Sequence, residues 1–172
     1  AEKFAGKYGF EKAFGSLEEM LSDGELDIVY IASPMACHYE HAKTAILAGV
    51  NVLCEKSVTL NCEQLQELLT LAKTKRVFFM EAMWMKCRPS FLKVMEWIKD
   101  GRIGNVQMVK ADFCNSVAFD ENDRLFIPEL GGGCLLDLAV YPFTLVEAVF
   151  GGKPDNITSK ARMGKTGVDF DM

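Results

Sequence analysis

Two pairs of polar residues stand in apolar surroundings at spacings that suit proton and charge transfer. Glu55-Lys56 directly follows the short apolar run Asn51–Cys54. A carboxylate and an ammonium leaving a buried strand together can hold a polar reactant, the ammonium stabilising negative charge on an oxygen. On spacing alone the pair is also explained as a loop that surfaces, with Lys56 in water. Asp137 and Tyr141 lie four residues apart in LGGGCLLDLAVYP. Helical spacing puts them on one face, one turn apart. A carboxylate among leucines and valines needs a partner, and a tyrosine hydroxyl beside a lysine ammonium can act as general acid and base. The alternative for Tyr141 is a core aromatic with its hydroxyl satisfied. Pro142 interrupts the helix just after it.

Three further positions follow apolar runs. Ser33-Pro34 comes after Leu26–Ala32, and Trp84 shortly after Arg76–Met80. Trp84 offers either a flat stacking surface or a piece of core. His38 and His41 sit three apart at the start of a helix, where capping is the default and a cofactor loop the alternative. Gly131–Gly133 reads as a turn, or as a place where a ligand meets backbone closely.

The elements that must position these residues alternate. AEKFAGKYGF is a helix stopped by Gly9. Ser16-Leu17-Glu18-Glu19 is a capping box for a short second helix. Leu26–Ala32 is a β-branched run expected to be a strand buried on both faces. A helix over residues 36–48, a strand over 51–54, a helix opened by Asn61 and Gln64, and a strand over 76–80 follow. This alternation predicts right-handed βαβ units and a parallel sheet, with ligands beyond the carboxyl ends of the strands. After residue 82 the pattern changes. Pro89 opens a helix ended by Gly101, Asn105–Ser116 alternates like a half-buried strand, the glycine turn leads into a further helix, and residues 156–172 look like strands of another sheet. The boundary falls near residues 82–88, dividing the chain into 1–84 and 85–172.

The chain has 172 residues, 49% hydrophobic and 25% charged, with a formal charge of −5. That supports a buried core and argues against a nucleic-acid partner or an anionic membrane surface. The stretch from Leu130 to Gly152 has membrane-like length, but Asp137, Glu147, Pro142 and the triple glycine argue against a span. Six dispersed cysteines and two histidines suit reduced thiols in a cytoplasmic protein and no metal site. No Gly-x-Gly-x-x-Gly occurs. Both ends look cut, because a doubly wound nucleotide domain wants a strand and a glycine-rich turn before residue 1.

DIVYIASP with His38 after it, AGVNVLCEKS, FMEAMWMK, IKDGRIGNV and LGGGCLLDLAVYP, in this order, resemble the Gfo/Idh/MocA family of NAD(P)-dependent oxidoreductases. The branch most like it holds dimeric dihydrodiol dehydrogenases and NADP-dependent D-xylose dehydrogenases. The resemblance implies an α/β chain: the later part of a Rossmann domain (1–84), then the first part of an α/β domain with a mostly antiparallel open sheet (85–172). It implies hydride transfer between NADP or NAD and a carbinol carbon of a sugar or trans-dihydrodiol, in a homodimer or higher homo-oligomer. By the same resemblance Lys56 binds the reacting hydroxyl, Tyr141 is the acid/base where many relatives carry His, and Asp137 orients substrate. Ser33, Pro34, His38, Glu55, Lys56 and Trp84 match positions lining the nicotinamide side. Ser57 replaces a family proline whose peptide bond is often cis, so here either the bond is trans and Lys56 is displaced, or the bond is cis. The alternatives are a non-catalytic dinucleotide-binding member of the fold, motivated by Ser57, and an inactive truncated fragment.

Overall fold

In the computed structural model, which describes residues 1–172, three short strands pair in parallel in the order β1 (Ile28–Ile31), β2 (Asn51–Cys54), β3 (Phe79–Glu81). The register sets Val29 beside Val52 and Ile31 beside Cys54, and Cys54 beside Glu81. The sheet belongs to the first of two compact units, Ala1–Ser33 with Cys37–Glu81; the second is Pro34–Ala36 with Ala82–Met172.

In the first unit the helices start and stop where side chains meet the end groups of the backbone. α1 (Glu2–Tyr8) ends at Gly9 in the left-handed conformation. At α2 (Leu17–Ser22) the Ser16 hydroxyl accepts from the Glu19 N–H at 3.1 Å, and the Glu19 carboxylate accepts from the Gly15 N–H at 2.8 Å. α3 spans His38–Leu47. α4 (Cys62–Lys75) opens with Asn61 accepting from the Gln64 N–H at 2.9 Å and closes at Arg76, at φ 57. Because Arg76 is spent on that cap, the third strand begins at Phe79 rather than at 76.

α3 and α4 cover one face of the sheet. Val29, Ile31, Val52 and Cys54 pack there against Ala42, Ala45 and Ile46 of α3 and Leu68 and Ala72 of α4. The other face is not covered, which corrects the expectation of a strand buried on both faces. Ile28 and Tyr30 are 49% and 56% exposed, and Met80 is also exposed. The apolar run of β1 therefore alternates in burial as any strand with helices on one side must.

Burial raises the Cys54 thiol from an ordinary 9.0 to about 12, with the carboxylates of Glu81 and Glu55 adding to it. The folded chain thus keeps a proton that the unfolded chain releases above its ordinary value. Stability should fall as pH rises between about 9 and about 12. Urea midpoints measured from about pH 8 to about pH 10 should decline. Iodoacetamide should label exposed Cys62, Cys87 and Cys114 well before Cys54. Equal labelling of Cys54 in the folded protein would contradict the assignment.

The second unit is more irregular. α5 (Pro89–Lys99) places proline at its first position, where the missing N–H has no intrahelical partner to lose. The strand expected over Asn105–Ser116 does not form: this stretch has no partner strand, and Met108 is 79% exposed. A π-helical turn, Leu135–Ala139, then continues into α6 (Val140–Phe150). Pro142 falls in the first turn of α6, just after the change in hydrogen-bond register, where a residue without an N–H is tolerated. Pro128–Phe150 has the length and apolarity to cross a membrane by composition alone, but the glycine turn cuts its 3₁₀ segment off from the π and α segments that follow. At the carboxyl end β4 (Arg162–Met163) and β5 (Asp169–Asp171) form an antiparallel hairpin. Phe170 of β5 packs its ring with those of Phe119 and Phe126, the three 5.1–5.9 Å apart.

Candidate active site

In the first unit, the carboxyl ends of the strands carry three of the predicted residues. Ser33 follows β1, while Glu55 and Lys56 follow β2, and the Glu55 N–H donates to the Ile31 carbonyl at 2.9 Å, tying the two ends together. The Tyr30 phenol donates to the Glu55 carboxylate. That bond, then burial, pushes the phenol up to about 12. Glu55 also accepts from the Lys56 N–H at 3.2 Å, and Glu81 at the end of β3 accepts from the Val58 N–H at 3.0 Å. The Lys56–Ser57 peptide bond is cis. Glu55 and Lys56 are half-buried.

His38 is 1% exposed, and its two ring nitrogens sit 2.9 Å from the Ser33 carbonyl and 2.8 Å from the Ser57 carbonyl. It therefore joins the loop after β1 to the loop after β2. The Ser33 hydroxyl pairs with His41 Nδ1 at 2.9 Å. Pro34 is exposed and begins the short segment grouped with the second unit.

In the second unit, Trp84, Asp137 and Tyr141 come together around the π turn. The Trp84 indole N–H donates to the Tyr141 hydroxyl oxygen at 2.9 Å, with the rings 5.7 Å apart and edge to face. Phe113 also packs edge to face with Tyr141, the rings 5.0 Å apart. Asp137 is four residues before Tyr141 and has Arg124 at 3.8 Å. A π turn widens the helix locally and is found disproportionately at functional sites. Asp137 also lines a cavity of about 260 Å³ with Asn115, Phe126, Arg162, Asp169 and Phe170.

The triple glycine is a turn whose close approach is made by the chain itself. A Cβ on Gly132 would lie 2.7 Å from the Leu125 carbonyl oxygen, and one on Gly133 2.3 Å from Asp169 Oδ1. Sequence reasoning missed Tyr30, Phe113, Arg124 and Asp169. Their roles depend on neighbours far away in the chain, and no spacing marks them. No three His, Cys, Asp or Glu side chains converge to hold a metal ion.

The oxidoreductase family model described as an NAD-binding Rossmann fold matches residues 1–83, and the Gfo/Idh/MocA C-terminal domain model matches residues 91–171. The chain belongs to the Gfo/Idh/MocA oxidoreductase family. It is 35% identical over 173 residues to the trans-1,2-dihydrobenzene-1,2-diol dehydrogenase of Xenopus tropicalis, covering all of this chain and 52% of that protein. It is 39% identical over 143 residues to the D-xylose 1-dehydrogenase (NADP(+)) of Hypocrea jecorina, covering 78% of this chain and 37% of that one. A 3-ketoreductase of Actinomadura kijaniata, solved with NADP and TDP-benzene, superposes with a TM-score of 0.74 at 26% identity, over 88% of this chain and 46% of that one. The chain spans about half the length of the dihydrodiol dehydrogenases it matches.

The residues present suit one end of a Gfo/Idh/MocA dinucleotide. The carboxyl edge of the parallel sheet carries a hydroxyl at Ser33, already paired with His41, a carboxylate at Glu55 and an ammonium at Lys56, donor and acceptor types that suit a carboxamide and a ribose.

Proposed function

We propose that the protein transfers a hydride reversibly between NADP or NAD and a carbinol carbon of a sugar or a trans-dihydrodiol. The observation that carries this reading is the Trp84–Tyr141 hydrogen bond on the helix that also presents Asp137, in a chain whose two parts match the family's two domains. Bound nicotinamide supplies or accepts the hydride. The protein's own residues handle the proton and the substrate. Tyr141 takes the hydroxyl proton as its phenolate during oxidation and returns it as the phenol during reduction. The indole N–H of Trp84, already aimed at that oxygen, offsets the charge that gathers there when the proton leaves. Lys56 holds the substrate oxygen, and Asp137, kept by Arg124, orients the neighbouring hydroxyls. Ser33 and Glu55 line the nicotinamide side in the first unit, and the family resemblance assigns Pro34 and Trp84 of the second unit to the same role. His38 holds that lining in place, through the Ser33 and Ser57 carbonyls.

A cavity of about 260 Å³ beside Asp137 favours a small polyol, since it lies just below the usual range of ligand pockets, about 300 to 1,000 Å³. The sugar and dihydrodiol classes come from the relatives' names. The same reading carries a cytoplasmic homodimer or higher homo-oligomer, with neither nucleic acid nor membrane as partner.

The test is NADP- or NAD-coupled absorbance with D-xylose and with a trans-dihydrodiol on the purified protein. Turnover with either is expected. Absence of turnover with both cofactors across sugars and diols would overturn the reading. Trp84→Phe keeps the ring and removes one neutral hydrogen bond of about 0.5–1.5 kcal/mol, so kcat should fall by about tenfold at most.

A further inference from the structure

Asp169 lies in β5, thirty-four residues from the π turn that carries Asp137, yet its carboxylate reaches the start of that turn. One oxygen, Oδ2, accepts from the Leu135 N–H at 2.6 Å and from the Cys134 thiol at 2.9 Å. The other, Oδ1, occupies the space that a side chain on Gly133 would need. Gly133 itself is at φ 111, so both its conformation and its lack of a Cβ make room for the carboxylate. The backbone N–H groups at the start of a helix have no intrahelical acceptor, and a carboxylate there satisfies them with a charge-assisted bond. Asp137 and Tyr141 follow Leu135 by two and six residues on the same continuous helix.

We propose that Asp169 is a positioning residue, a clasp from the hairpin that sets the register of the helix so that Tyr141 meets Trp84. The proposal rests on the oxidoreductase reading for its catalytic consequence, though not for the clasp itself. Burial first, then the bond to Asp169, pushes the Cys134 thiol up to about 12, so this thiol reports whether the clasp is closed.

The experiment compares the wild-type protein with Asp169→Ala and Asp169→Asn. Cys134 alkylation by iodoacetamide is followed by peptide mass spectrometry, Trp84 emission is read in a Trp97→Phe background, and kcat and KM are measured on the substrate the wild type turns over. In Asp169→Ala, Cys134 should alkylate several-fold faster and Trp84 emission should shift. Misplacing a reacting group by about 1 Å can cost about 100-fold, so kcat should fall between about 10- and 100-fold with KM little changed. Asp169→Asn, whose amide oxygen can still accept from Leu135, should recover part of kcat and of the emission. Unchanged alkylation and unchanged emission in Asp169→Ala would overturn the clasp. Faster alkylation with wild-type emission and kcat would overturn its positioning role. A wild type without turnover counts against the oxidoreductase reading alone, because alkylation and emission still decide the clasp.

Discussion

Replacing Tyr141 by phenylalanine should lower kcat by about 10²–10⁴-fold and leave KM for substrate and cofactor close to wild type. The substitution removes one oxygen and its proton and nothing else. The ring keeps its contacts with Trp84 and Phe113, whose centroids lie 5.7 and 5.0 Å away, so the aromatic packing persists. The Trp84 N–H loses its acceptor, but Trp84 is 51% exposed and water can take the bond. The cost to stability should therefore be about 1 kcal/mol or less. Circular dichroism and a urea midpoint would establish that the variant folds, and steady-state kinetics would then isolate the chemical step. Retained kcat in a folded Tyr141→Phe protein would remove the phenol from the proton transfer. The pair Trp84→Phe and Tyr141→Phe should also be non-additive, since each removes the same hydrogen bond.

Lys56→Ala should lower kcat by about 10²–10³-fold, the loss expected when one preorganised donor to a developing oxyanion is removed. During oxidation the substrate oxygen begins as a neutral hydroxyl and gains charge as its proton departs, so an ammonium there acts more on the transition state than on binding. KM should accordingly change less than kcat. Glu55 stays bound to Tyr30, and Glu81 to the Val58 N–H, so the loop after β2 retains its anchors in the variant. Turnover at the wild-type level would sink the assignment of Lys56, and absence of turnover in the wild type itself would favour a member of the family that binds the dinucleotide without using it.

The pattern of elements was legible because it is local. The Ser16 and Asn61 caps, the glycine that ends α1 and the proline that opens α5 each act within a turn of their own position, and each is where its residue type requires. The run after Leu26 was legible as a strand, though not as one with an uncovered face: an apolar run records what a strand can bury, and only the helices that pack on it decide which side is buried. Asn105–Ser116 alternated without pairing for a related reason, since a strand needs a neighbour and alternation supplies only one side of the ladder.

The same division runs through the site. Sequence by itself determined the chemical types and their local spacing: the carboxylate and ammonium after β2, the aspartate and tyrosine four apart, and the family that this order of motifs belongs to. Tertiary structure decided who meets whom. It put the Trp84 N–H on the Tyr141 oxygen across fifty-seven residues, Asp169 on the Leu135 N–H across thirty-four, and both nitrogens of His38 on the carbonyls of Ser33 and Ser57. Backbone propensity, capping and periodicity act over a few residues and can be read along the chain. A hydrogen bond between distant groups forms only after folding has fixed both ends, and no residue type or spacing records it beforehand.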